Sequence, residues 1–134
     1  MLEELELHHF ALKIRPGSLE KAIEFFEEMG MKLSYREGDV RWALVEFVSK
    51  KIEIQLIEVE EKTLKIEEKL ATHVAFLTKN PQVEIKELEK WSKQSDVKLE
   101  FGGWGKEMLW FDAPDIFVNF VVEVMGYSVV GRDI

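Results

Sequence analysis

Two histidines head short apolar runs. His9 lies in Leu7-His8-His9-Phe10-Ala11-Leu12-Lys13-Ile14 and His73 in Thr72-His73-Val74-Ala75-Phe76-Leu77-Thr78, so the two are 64 residues apart. Each is followed 46 residues on by a side-chain amide, Gln55 and Asn119. Imidazoles and carboxamides both donate and accept hydrogen bonds, so these four can satisfy one another in a core or meet a ligand there. The chain has two Asn and three Gln, and this scarcity gives weight to two amides at matching positions. Glu53 and Glu123 add carboxylates. A glutamate on a cavity wall has its pKa raised by burial, which suits a general base; a solvated carboxylate at a rim is the alternative. Trp42, Trp91 and Trp110 read as core, whereas Trp104, in Gly102-Gly103-Trp104-Gly105, is the candidate for touching a ligand. His8 has the opposite parity to His9 and reads as an edge or surface residue.

The elements that must carry these residues repeat. In the first half, alternation gives a strand over 5–14, with Phe10, Leu12 and Ile14 on one face and His9, Ala11 and Lys13 on the other. Ser18 is a candidate N-cap, and Leu19, Ala22, Ile23, Phe26 and Met29 form one helical stripe ending at Gly30. Strands follow over 31–36, 40–47 and 52–59, with turns at Glu37-Gly38-Asp39 and Ser49-Lys50-Lys51. In the second half, a strand over 72–78 leads to a helix started by Asn80-Pro81 and ending near Ser92. Strands are expected over 97–101, 107–111 and 116–124, with Gly102–Gly105 and Asp112–Asp115 as turns. Ile116, Val118 and Phe120 then answer Ile52, Ile54 and Leu56 at the offset of 64.

The reading is an α+β fold of two tandem βαβββ modules, 5–59 and 71–124, in one domain, joined by a charged linker over 60–70 and followed by a tail over 125–134. A sheet with one helix covers one face, so the other faces are expected to curve round a central cavity, helices outside. His9, Gln55, His73 and Asn119 share the cavity parity.

Composition narrows the function. The net charge of −8 argues against a nucleic-acid partner. Lysines alternate with glutamates, as in Glu67-Glu68-Lys69, and read as a solvated surface. No cysteine is present, which excludes disulfides, thiolate metal sites and a cysteine nucleophile. No apolar run reaches membrane-spanning length and Met1-Leu2-Glu3-Glu4 is not signal-like, so no membrane partner and a cytoplasmic location are expected. Abundant Lys and Glu with few amides is a thermophile-like composition.

Over residues 5–124 the chain resembles the vicinal oxygen chelate superfamily, which includes glyoxalase I, methylmalonyl-CoA epimerase, extradiol dioxygenases, and fosfomycin and bleomycin resistance proteins. The resemblance rests on His9–Ile14, on Ser18–Phe26 running to Met29-Gly30-Met31, on Thr72–Phe76, and on Asp112-Ala113-Pro114-Asp115, where members carry Asp-Pro-Asp-Gly. It implies a ligand on the first and fourth strand of each module, which by position are His9, Gln55, His73 and Asn119. Asn119 departs from the glutamate usual in the metal enzymes, and an amide is a weak ligand for Zn²⁺ or Fe²⁺. The expectation is therefore a glyoxalase- or bleomycin-resistance-like protein that binds a small molecule and has a degenerate site for a divalent metal (Zn, Ni, Co or Mn). The resemblance also implies a homodimer. One alternative is a metal-dependent lyase or epimerase, in which Glu53 or Glu123 moves the proton of a metal-stabilised enolate. The other is a structural or regulatory domain whose polar network fixes the core.

Overall fold

Apolar alternation in the first half has a helix to pack against. The computed structural model describes residues 5–47 and 52–132, and the chain divides into two compact units, Met1–Glu60 and Glu61–Ile134. In the first, β1 (His9–Ile14), α1 (Leu19–Glu28), β2 (Lys32–Tyr35), β3 (Trp42–Glu46) and β4 (Glu53–Glu58) follow in order. The sheet order is β1-β4-β3-β2, with β1 parallel to β4 and the other pairs antiparallel. Leu12, Ile14, Ala43, Val45, Ile54 and Leu56 are buried on one face. They pack with Leu19, Ala22, Ile23 and Phe26 of α1, four of the five residues in the expected stripe; Phe25 is buried as well, and Met29 only half-buried. Gly30 takes φ +93 just past the helix, a conformation that disfavours any side chain.

Two expectations for this unit need correction. β1 starts at His9, not residue 5. Ser18 occupies the N-cap position but makes no capping bond, because its hydroxyl donates to the Arg15 carbonyl at 2.6 Å. Glu58, at the end of β4, takes that role and accepts from the Leu19 N–H at 3.1 Å. The expected turn at Ser49-Lys50-Lys51 lies outside the described residues.

The second unit holds α2 (Ile66–Lys69), β5 (His73–Thr78), α3 (Pro81–Ser95), β6 (Glu100–Gly105), β7 (Met108–Asp112), β8 (Val121–Gly126) and a single 3₁₀ turn (Tyr127–Val130). Its sheet order, β5-β8-β7-β6, repeats the first, again with a parallel first pair. α3 starts as expected, with Asn80 Oδ1 accepting from the Val83 N–H and Pro81 in the first turn. It runs past Ser92 and closes on Asp96 in the left-handed conformation. Leu88 and Trp91 from α3, with Val122, Val124 and Phe111 from the sheet, form the core.

Here the sequence reading fails in three places. The glycine-rich stretch Gly102–Gly105 is strand β6, not a turn, and the turn lies at Lys106-Glu107. Its glycines admit the facing strand: a Cβ on Gly102 would stand 2.2 Å from the Trp110 ring. The last strand begins at Val121. Ile116, Phe117, Val118 and Phe120 are buried in the loop before it, so their alternation imitated a strand. Finally, Lys69 is not on a solvated surface. Its side chain is 1% exposed, and Nζ donates to both Asp112 carboxylate oxygens (3.0 and 3.1 Å) and to the Phe117 carbonyl (2.8 Å).

Candidate functional site

The register identifies which residues correspond. In the first unit His9 pairs with Glu53 and Ala11 with Gln55; in the second, His73 pairs with Val121 and Ala75 with Glu123. Gln55 and Glu123 are therefore counterparts, each opposite the alanine two residues after the histidine. Their offset is 68, not 64. The four extra residues come in two equal parts: Trp110, the partner of Glu123, lies 37 residues after His73 where Leu44, the partner of Gln55, lies 35 after His9, and eight residues (113–120) join β7 to β8 where six (47–52) join β3 to β4. Asn119, expected on the last strand, sits in the bend before it.

In the second unit, His73, Glu123, Trp110 and Trp104 come together on the sheet face opposite α3. Glu123 is cross-strand partner to both Ala75 and Trp110. Its side chain is 4% exposed, and Oε1 lies 3.7 Å from His73 Nε2. Oε2 is buried with no hydrogen-bond partner among the described residues. Burial pushes the Glu123 carboxyl above the usual range, and the His73 charge pulls it back in part. His73 Nδ1 lies 3.0 Å from the Leu70 carbonyl, which can only accept, so Nδ1 carries the hydrogen. When protonated, His73 faces the Glu123 carboxylate as an ion pair; when neutral, it turns the lone pair of Nε2 towards it and leaves room for a cation between them.

Trp104 is the extra residue of a β-bulge in β6, where the register slips between Gly103 and Gly105. A bulge re-aims one side chain. The indole reaches His73, with ring centroids 5.4 Å apart, while remaining 44% exposed. The two rings belong to the outermost strands of the sheet, so the contact spans β8 and β7, the strands that carry Glu123 and Trp110.

The first unit arranges its polar residues differently. Glu53 bonds the Ser34 hydroxyl through Oε1 and His8 Nε2 through Oε2, the latter at 2.9 Å. His8 Nδ1 lies 2.9 Å from His9 Nδ1. His8 is a surface residue, as its parity suggested, but it precedes β1 and turns towards His9 and Glu53 instead of away. Gln55 is half-buried on the same sheet face as Glu53. Ser34 occupies the bulge of β2, between Leu33 and Tyr35, as Trp104 does in β6.

His73 and Glu123 fit a divalent cation, because an imidazole nitrogen and an anionic oxygen lacking a donor are the donor types that Zn²⁺ and its neighbours take. Among the described residues no three His, Asp or Glu side chains gather round one point. His73, Glu123 and Trp104 were legible as candidates, whereas Trp110, read as core, stands half-buried beside Glu123, and Ser34 and His8 were missed. The adjacent histidines were the available signal for His8. Nothing in the sequence signalled Ser34, because its role depends on the bulge.

No protein-family model matches the chain, and no curated protein does. Solved structures do. A glyoxalase-like protein of Bacillus halodurans is 17% identical with TM-score 0.61, covering 92% of this chain and 96% of its own. The fosfomycin resistance protein FosX of Listeria monocytogenes, complexed with Mn(II) and 1S,2S-dihydroxypropylphosphonic acid, is 18% identical with TM-score 0.58, covering 92% and 93%. TnmS3, an antibiotic binding protein of a Streptomyces species, is 16% identical with TM-score 0.58, covering 94% and 98%.

Proposed function

We propose that this chain, which has the fold of the vicinal oxygen chelate superfamily, binds a small oxygen-bearing molecule with the help of a divalent cation held by His73 and Glu123. One observation carries the reading. His73 Nε2 and Glu123 Oε1 face each other at 3.7 Å, beyond hydrogen-bond distance, and the buried Oε2 has no hydrogen-bond partner among the described residues. A buried carboxylate left in that state costs free energy that a cation would recover. Mn(II) in the FosX complex supports the same reading by analogy of fold. His9 and Gln55, the counterparts of His73 and Glu123, are the corresponding donors of the first unit.

When bound, the cation would polarise oxygen atoms of the ligand as a Lewis acid. The chain's own residues do the rest. The Leu70 carbonyl fixes the His73 tautomer, and burial keeps water from the Glu123 carboxylate. Trp104 and Trp110 offer flat apolar surface. None of β5, β6, β7 or β8 contains a lysine or arginine. That favours a ligand with an apolar or aromatic body over a phosphonate or coenzyme A ester, whose charges call for cationic partners.

The raised Glu123 carboxyl supports a second reading, a lyase or isomerase in which Glu123 takes a proton from carbon next to a carbonyl. The cation reading is tested first. Protein purified without a nickel column is titrated with Zn²⁺, Ni²⁺, Co²⁺ and Mn²⁺ by calorimetry and melted with and without chelator. Wild type should bind at least one of them and melt higher with it. His73→Ala and Glu123→Gln should each weaken binding by at least roughly tenfold, the loss that even outer-shell partners cause. No binding and no rise in melting temperature with any of the four would sink the proposal.

A further inference from the structure

We infer that His8 and Glu53 are positioning residues that set the tautomer of His9 and leave the lone pair on His9 Nε2 for a ligand atom. The inference deepens the cation reading, on which its functional meaning rests, but its geometry stands apart from it. A carboxylate can only accept, so at 2.9 Å from Glu53 Oε2 the His8 Nε2 must carry the hydrogen. In neutral His8 the other nitrogen, Nδ1, is then an acceptor. His9 Nδ1 lies 2.9 Å from it and must donate. Neutral His9 with its hydrogen on Nδ1 has its lone pair on Nε2. One carboxylate thus fixes two tautomers in series.

The chain of bonds is anchored at both ends. The Ser34 hydroxyl donates to Glu53 Oε1 and leaves Oε2 for His8. The Glu53 N–H donates to the His8 carbonyl at 2.8 Å, which pins the His8 backbone although His8 precedes β1 and its side chain is 62% exposed. The two imidazoles meet edge to face, with centroids 5.1 Å apart and planes at 86°. His73 reaches the same state by a shorter route, through the Leu70 carbonyl. Both units therefore present Nε2 of the histidine that heads the first strand, one by a backbone carbonyl and the other by a relay of side chains.

The test reads tautomers directly. Long-range ¹H–¹⁵N correlation spectra of ¹⁵N-labelled, metal-free protein at pH 8 should show His9 as the Nδ1–H form. His8→Ala and Glu53→Gln should move His9 towards the Nε2–H form that an unconstrained neutral histidine prefers. His8→Gln should restore the Nδ1–H form, since its carboxamide oxygen can accept from His9 while its NH₂ donates to Glu53. In the same proteins Zn²⁺ or Ni²⁺ affinity should fall by about 10- to 100-fold in His8→Ala and recover in His8→Gln. Wild-type His9 in the Nε2–H form, or a tautomer unchanged in His8→Ala, would overturn the inference. A wild type that holds the Nδ1–H tautomer yet binds no cation upholds the relay and overturns the cation reading.

Discussion

A Cβ placed on Gly102 would stand 2.2 and 2.4 Å from two atoms of the Trp110 indole, well inside contact distance. Trp110 is also the cross-strand partner of Glu123, so a displaced indole disturbs the site as well as the sheet. Gly102→Ala is expected to destabilise the fold by about 1–3 kcal/mol, the range for overpacking a well-packed site. Urea unfolding would show this as a lower midpoint at unchanged slope, and a midpoint equal to wild type would contradict it. At this scale the sequence disclosed residue types better than partnerships. His9, His73, Glu53, Glu123 and Trp104 were all legible as candidates. What joins His73 to Glu123 and not to Asn119 is strand register, which a second unit longer by four residues between its first and last strands shifts without trace in the pattern of alternation.

α1 depends on a residue from another element. Glu58 closes β4, and its carboxylate receives the Leu19 N–H and the Arg41 guanidinium, each at 3.1 Å. Burial pushes its carboxyl up, but the hydrogen bonds from Gly17, Arg41 and Leu19 outweigh this and hold it below the usual glutamate value. A carboxyl lowered on folding contributes stability that is present above its unfolded value, near 4.5, and is lost as pH falls through its folded value. Glu58→Ala should therefore cost about 1 kcal/mol at pH 7, the usual worth of an N-cap. It should also flatten the loss of stability below pH 4.5 in acid titrations followed by circular dichroism. An acid limb as steep as wild type would refute the assignment. Both long helices were readable because a 3.6-residue stripe and a proline start are local signals. β6 was not, because glycines usually mark turns, and here they make room for an indole from the neighbouring strand.

Across the whole chain, the charged stretch expected as a linker over 60–70 belongs, from Glu61 on, with the second unit. Lys69 anchors it there, on Asp112 and the Phe117 carbonyl. Desolvation raises the Asp112 carboxyl and Lys69 pulls it down in part, so each buried charge relies on the other. Lys69→Met should destabilise the protein by about 3–5 kcal/mol, the cost of stranding a buried charge, whereas Lys69→Met with Asp112→Leu should cost far less. Thermal and urea unfolding of the two variants would separate these outcomes, and equal losses would refute the pairing. The twofold βαβββ plan was legible from the repeated histidine strands, but this anchor was not, because one lysine among many gives no sign of burial. The same plan governs how the chain must assemble. In each sheet the first strand pairs with the last, His9 with Glu53 and His73 with Val121, across 44 and 48 residues. Closing loops of that length must precede the contacts that repay the closure, which makes such units slower to fold than chains built on local contacts. During synthesis each histidine-headed strand leaves the ribosome first and stays unpaired until the last strand of its unit emerges.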